Sequence, residues 1–278
     1  HISFFGTKNN DNYYIYHAVS TDGGDSFSEP TKVSEFKLYS YGIPMQEVTG
    51  IKSRRLAPVV RMDIDRSGGS YNDNIYITWT AQGIGYKATE GMDIYFSKSA
   101  DNGKTWTTAR RITADHQPEA HQYYPSITVN EQGKVIVSWY DRQNASQNVM
   151  THHYAAYSDN GGATFKGHGP VTSSPTDFST VGEMNRGFGI GEYTSVVSTS
   201  THAIPVWSDG RNNQGDLNIM TAFVPFDDFA VTGTRYSSVN KGFNIEGPTP
   251  NPAGNKADLT LSLDKANNVR VQIISTKG

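Results

Sequence analysis

Ser99-Ala100-Asp101-Asn102-Gly103-Lys104-Thr105-Trp106 is the stretch on which the reading of this chain turns. Its pattern, S-x-D-x-G-x-T-W, returns at residues 20–27 as S-x-D-x-G-x-S-F and at 158–165 as S-x-N-x-G-x-T-F. In each copy a strand-like run comes before the pattern and a short extended run comes after it. The chemistry is that of a tight hairpin. Gly24, Gly103 and Gly162 accept a positive φ at little steric cost. Asp22, Asp101 and Asn160 can bond backbone amides inside the turn. Each copy opens on a serine (Ser20, Ser99, Ser158) and closes on a ring (Phe27, Trp106, Phe165) expected to fold back against the sheet. Three copies with one aromatic offset specify a repeat architecture.

Outward from the octapeptides, short alternating runs of Val, Ile, Tyr and Thr lie between Gly, Asn, Asp and Pro. Residues 13–19 and 31–33 flank the first copy and predict two outer strands of a blade without its inner ones. A complete unit follows: strands are expected at 57–64, 74–80, 93–98 and 110–113. The next repeats that order at 124–129, 135–140 and 152–157, with a short exit after its octapeptide. A fourth gives 193–198, 203–207 and 217–223, with no octapeptide. Trp79, Trp139 and Trp207 fall at the same place in successive units, 60 and 68 residues apart. That is the size of a four-stranded propeller blade. No sustained helical period occurs, and residues 173–191 are the longest irregular stretch.

The octapeptide resembles the Asp box, or BNR repeat, of sialidase-like β-propellers. In that family the box lies between the two outer strands of a blade, away from the ligand face, so it implies a scaffold. The resemblance implies an all-β fold whose parent propeller has six blades, with N-terminal blades missing from this chain. A four-bladed ring closed by the first and last units is the alternative.

The chain has 278 residues, 36% hydrophobic and 18% charged, with net charge −3. It is long enough to bury a substantial core. No Lys/Arg run marks a nucleic-acid footprint or an anionic-membrane patch. No apolar stretch reaches the roughly 20 residues a membrane-spanning helix needs. Cysteine is absent, which removes disulfides, thiolate zinc sites and a cysteine nucleophile. The opening at His1, inside a blade, reads as part of a longer precursor.

After the propeller (1–225) the character changes. Residues 226–247 read as a connector with room for one strand. Then come Pro250-Asn251-Pro252, an alternating run with Leu259, Leu261 and Leu263, an Asp/Lys-rich turn, and a second run with Val269, Val271 and Ile273, ending at Gly278. Residues 248–278 resemble the start of the C-terminal sorting domain of type IX secretion substrates, a small immunoglobulin-like β-sandwich, present here in part. The resemblance implies export across an outer membrane, a secreted or cell-surface location, and contact with the secretion machinery. An ordinary terminal hairpin is the plainer reading.

Two segments pair a tryptophan with an acid and a base: Trp139-Tyr140-Asp141-Arg142 and Trp207-Ser208-Asp209-Gly210-Arg211. An Asp–Arg pair in a cleft could bind a carboxylate or activate water, but recurrence at one strand end argues for a structural device. A sialidase uses three arginines, a Tyr–Glu pair and an Asp acid. Candidates here are Arg61, Arg142 and Arg211, the Glu192–Tyr193 pair, and Asp209. Adjacent strand residues face opposite ways, which weakens the pair. The family's Arg-Ile-Pro motif is absent, and residues 54–58 (RRLAP) are a poor substitute. Asp63, Asp65 and Asp73 could offer oxygens to Ca2+, or simply build a polar hairpin around Gly68-Gly69. His116, His121, His152 and His153 lack metal-ligand spacing. Tyr39, Tyr41, Tyr123, Tyr124, Tyr140 and Phe188 lie in or beside loops, where rings stack on sugars or partner side chains, or else serve the core. The sequence thus favours a recognition protein for a glycan or protein ligand over its alternative, a sialidase-like exo-glycoside hydrolase.

Overall fold

The computed structural model describes residues 1–9, 12–38, 59–84, 91–113, 119–144, 149–181, 190, 193–211, 217–230, 243–249 and 258–263. The chain divides into two compact units, His1–Tyr236 and Ser237–Gly278.

In the first unit the strands run β1 (Ile2–Asn9), β2 (Asn12–Ala18), β3 (Thr31–Lys37), β4 (Arg61–Ile64), β5 (Ile75–Ala81), β6 (Gly83–Ile84), β7 (Asp93–Ser99) and β8 (Arg110–Arg111). They continue as β9 (Gln122–Val129), β10 (Val135–Asp141), β11 (His152–Ser158), β12 (Lys166–Pro170), β13 (Ser195–Ser198), β14 (His202–Asp209), β15 (Asn218–Thr221) and β16 (Val224–Pro225). They form antiparallel sheets in the orders β1-β2-β3-β6, β4-β5-β7-β8, β9-β10-β11-β12 and β13-β14-β15, with β16 also on β14. These sheets are successive blades of a β-propeller, and the fold is all-β.

The octapeptides sit where the pattern put them, between the third and fourth strands of the second and third blades and at the matching place in the first. Ser99 Oγ donates to Asp101 Oδ1 at 2.8 Å and accepts the Gly103 amide at 2.9 Å. Asp101 Oδ1 accepts the Thr105 amide at 2.8 Å, and its Oδ2 takes the Thr105 hydroxyl. Ser20, Asp22, Gly24 and Ser26 repeat this set. In the third copy Asn160 Oδ1 accepts the Thr164 amide while its Nδ2 donates to the Thr164 hydroxyl.

The hydroxyl and then the amide of Thr105 pull the Asp101 carboxyl from 3.8 down to about 2. A folded pKa below the unfolded one contributes stability that is whole above about pH 4 and fades as pH falls toward 2. Asp101→Asn is expected to fold, since Asn160 already serves in the third copy. Its deficit in melting temperature against the native chain should shrink between pH 4 and 2.5; a gap constant with pH would refute this account.

The glycines do more than turn the chain. A Cβ on Gly103 would lie 2.1 Å from the His17 ring, and one on Gly162 would lie 2.6 Å from Phe96. His17 and Phe96 are each three residues before the serine of the preceding copy. Each hairpin therefore seats a ring from the sheet before it. Lys98 Nζ donates to the Gly161 carbonyl at 2.6 Å, and Arg110, lying over both Phe96 and Phe165, donates to that of Gly162. Gly24 has nothing within 4 Å of its would-be Cβ.

This corrects one expectation. Trp106 packs on His17, and Phe165 packs edge-on against Phe96, but Phe27 is 46% exposed. The closing ring packs on the preceding sheet, and among the described residues none precedes the first. The first blade also holds three long strands where two were expected. Phe4 faces Tyr16 across β1 and β2, as Trp79 faces Tyr95 and Trp139 faces Tyr154. The latter pairs are buried between sheets.

In the second unit the described strands are β17 (Phe243–Thr249) and β18 (Asp258–Leu263), an antiparallel pair with Ile245 opposite Leu261. Leu259, Leu261 and Leu263 thus lie on a strand, paired with a segment that begins inside the expected connector. Pro250, Asn251, Pro252, Val269, Val271, Ile273 and Gly278 lie outside the described residues.

Candidate functional site

The octapeptides and the hairpins joining first to second strands occupy one end of the blades. At the other end second strands finish (Ala81, Asp141, Asp209) and third strands begin (Asp93, His152, Asn218). Asp141, Arg142, Asp209 and Arg211, singled out in the sequence, lie at that end.

On the fourth blade, Asp209 ends β14 with its side chain buried. Its Oδ1 accepts from Thr176 Oγ1, the Arg211 amide and Arg211 Nε, each at 2.9 Å. Its Oδ2 accepts from Trp207 Nε1 at 2.8 Å and Arg211 Nη2 at 2.6 Å. Burial alone pushes this carboxyl up, but the Arg211 and Trp207 hydrogen bonds outweigh it and hold the pKa below the usual value. The third guanidinium nitrogen of Arg211 donates to Ser173 Oγ at 2.8 Å. Five donors on one carboxylate form a clamp closing the strand end. Such an arrangement fixes geometry and leaves little basicity for proton abstraction.

The third blade uses only part of this device. Trp139 Nε1 donates to Asp141 Oδ2 at 2.8 Å, and the Gln143 amide to Asp141 Oδ1 at 2.7 Å. Arg142 departs from it. The side chain is fully buried, its Nε donates to Thr151 Oγ1 at 3.0 Å, and its guanidinium lies 5.6 Å over the Tyr123 ring. On the second blade Ala81 replaces the aspartate, and Trp79 Nε1 has no acceptor among the described residues.

Between the second and third blades Asp93 is buried and binds Thr113 Oγ1 at 3.0 Å and Arg111 Nη1 at 3.3 Å. His121 Nδ1 accepts the Met92 amide at 3.3 Å. Burial first, and Arg142 second, lower its pKa to about 4, so the ring is neutral at physiological pH. Asp93 and Thr151 escape sequence reasoning because no repeated pattern marks them, and His121 entered it only as a histidine without metal-ligand spacing.

The remaining candidates separate. Tyr123, Tyr124 and Tyr140 lie on β9 and β10 and are fully buried. Their rings meet one another, with Phe178 edge-on to Tyr140, in the core under the strand ends. Of the two readings given for these three the core one holds: Tyr124, at φ 52°, bulges β9 where its register on β10 shifts, so that the adjacent rings of Tyr123 and Tyr124 are both buried. Tyr193 stands before β13 and is 88% exposed. Arg61 is half-buried on β4. Glu192, residues 54–58, Tyr39, Tyr41, Phe188 and His116 lie outside the described residues.

The three aspartates considered for Ca2+ have other work. Asp63 Oδ2 accepts the Val129 amide at 2.7 Å, and Asp65 Oδ1 the Ser67 amide at 2.8 Å. Asp73 takes a left-handed turn at φ 65°. Among the described residues no three His, Asp or Glu side chains are grouped to hold a metal. No described helix is long and apolar enough to cross a membrane.

No protein-family model and no curated protein matches the chain. Among solved structures it is similar to a Hadza microbial sialidase at 15% identity and TM-score 0.37, over 69% of this chain and 42% of that one. It is also similar to a protein of unknown function from Dyadobacter fermentans at 16% identity and TM-score 0.42, over 79% of this chain and 50% of that one. A third is an intramolecular trans-sialidase from Ruminococcus gnavus in complex with oseltamivir carboxylate, at 13% identity and TM-score 0.40, over 78% of this chain and 62% of that one. The chain thus spans about half or less of the length of the first two.

Proposed function

We propose that this chain is part of a secreted or cell-surface recognition propeller that binds a glycan or protein ligand at the strand-end face. One observation carries the reading: the acid–base residues of that face are spent on internal hydrogen bonds, with Asp209 accepting five and Arg142 fully buried. A general base needs a free lone pair within reach of substrate, and the described part of this face supplies none at Asp209. What it exposes is Tyr193, an amphipathic ring suited to stacking on a sugar or a partner side chain. In this reading the octapeptides are Asp boxes serving as scaffold, and residues 248–278 begin a type IX sorting domain. The alternating run of Leu259, Leu261 and Leu263 after Pro250-Asn251-Pro252 supports the sorting assignment. The alternative is a sialidase-like exo-glycosidase, with Glu192, Tyr193, Arg142, Arg211 and Asp209 as its candidate residues.

The test is a glycan array together with a fluorogenic sialoside and a panel of aryl glycosides. The expected result is binding without turnover. Tyr193→Ala should weaken that binding about tenfold with an unchanged melting temperature, as its ring is exposed. Turnover that vanishes in Glu192→Gln or Arg211→Ala would establish the hydrolase in place of the binder.

A further inference from the structure

His153 stands on β11 at the junction of the third and fourth blades. Its side chain is 1% exposed. Its ring lies parallel to Trp207, with centroids 4.9 Å apart and planes at 9°, and edge-on to Tyr140 at 5.0 Å and 81°. Neither ring nitrogen has a hydrogen-bond partner among the described residues. A neutral imidazole carries one donor and one acceptor, so this site strands both in an aromatic slot. A protonated ring would strand two donors and a net charge there, which costs far more.

None of the described groups around it is placed to relieve that charge. From β10, the Tyr140 hydroxyl is held between the amide and carbonyl of Ser208, each at 2.9 Å. From β14 come Trp207 and Asp209. Asp209 is the facing anion and draws the pKa of the ring upward, but Thr176, Trp207 and Arg211 occupy both its oxygens, and the Arg211 cation offsets it. After β12, the Thr172 hydroxyl accepts the His153 backbone amide at 3.3 Å and is shared with His152 Nδ1 at 2.7 Å. His152 is half-buried on the same strand, and burial first, then Arg211, lowers its pKa. The ring thus gains hydration of both nitrogens only when Trp207 moves away.

We infer that His153 is an acid-sensitive latch between the third and fourth blades, and that proton uptake there parts the fourth sheet from the third.

The size of the effect follows from linkage. Burial holds the His153 ring at about 3, against 6.5 for the free side chain. The folded value is the lower one, so the opened state binds more protons between those limits, and the closed junction weakens as pH falls below 6.5. From pH 7 to pH 5 the opening equilibrium should rise about 25-fold. His121 adds to the general acid sensitivity of the chain but not to this junction, since it contacts Met92 on the other side of the third blade.

The experiment is amide hydrogen exchange of the full chain at pH 7 and pH 5, corrected for intrinsic rates, for the native protein, His153→Phe and His153→Leu. Phenylalanine keeps a ring in the slot without a proton site, and leucine gives a second reading if the first variant packs badly. The expected result is about 25-fold faster opening in peptides from β13 and β14 of the native chain and the loss of that acceleration in both variants, while β7 and β9, beside His121, respond to pH alike in all three proteins. No acceleration of β13 and β14 in the native chain, or the same pH response there in both variants, would overturn the inference.

Discussion

Asp209→Ala is expected to destabilise the propeller by about 3 kcal/mol, the lower end of the range for removing one partner of a buried ion pair. The lower end applies because Arg211 keeps 17% side-chain exposure and can recover some hydration. Four kinds of donor lose their acceptor together: the indole N–H of Trp207, the hydroxyl of Thr176, and the guanidinium and backbone amide of Arg211. Trp207 and Thr176 are buried, so their loss is a desolvation cost and not only a missing bond. Asp209→Asn keeps the shape and one acceptor oxygen but loses the charge, and should cost about half as much. Urea unfolding measures both, with the midpoint shifting at a constant slope. A loss below about 1 kcal/mol for the alanine variant would mean that the carboxylate was not structural, and would reopen a catalytic role for it.

The glycines of the octapeptides predict a contrast. Gly162→Ala must place a methyl where Phe96 Cζ stands 2.6 Å away, at a φ of +73°. Left-handed strain costs roughly 1 kcal/mol, and forcing atoms into a filled space about 1–3 kcal/mol more. The expected loss is therefore about 2–4 kcal/mol. Gly24→Ala meets the same kind of backbone, φ +105°, but open space. It should cost only the strain, about 1 kcal/mol. Equal losses at the two sites would show that the turn alone demands glycine and that the seated ring contributes nothing.

The blades were legible because their signals are local. A serine, an acid or amide, a glycine and a ring at fixed offsets fix a hairpin, and the alternating runs beside it fix the strands. Tryptophan marked the second strand of each later blade, and where Phe4 takes that place the marker disappears, which is why β1 went unread. What the sequence withheld is relational. Asp141-Arg142 and Asp209-Gly210-Arg211 look alike on paper, yet one inserted glycine lets Arg211 fold back on its own aspartate while Arg142 runs inward to Thr151. The burial of Tyr123, Tyr124 and Tyr140 depends on the neighbouring sheet, and so does the second duty of Gly103 and Gly162. The isolated nitrogens of His153 follow from what the fourth blade brings against it, which no pattern within β11 records.

The ring-on-glycine contact points one way along the chain: His17 of the first sheet enters the second hairpin, and Phe96 of the second enters the third. A segment leaving a ribosome or a secretion pore first has its ring in place before the hairpin that will receive it exists. Each finished sheet is then a template for its successor, and coupling between sheets is between nearest neighbours, as in solenoids. Assembly with that polarity runs in the direction of synthesis, and among the described strands β6 is the one that returns, to the free edge of β3.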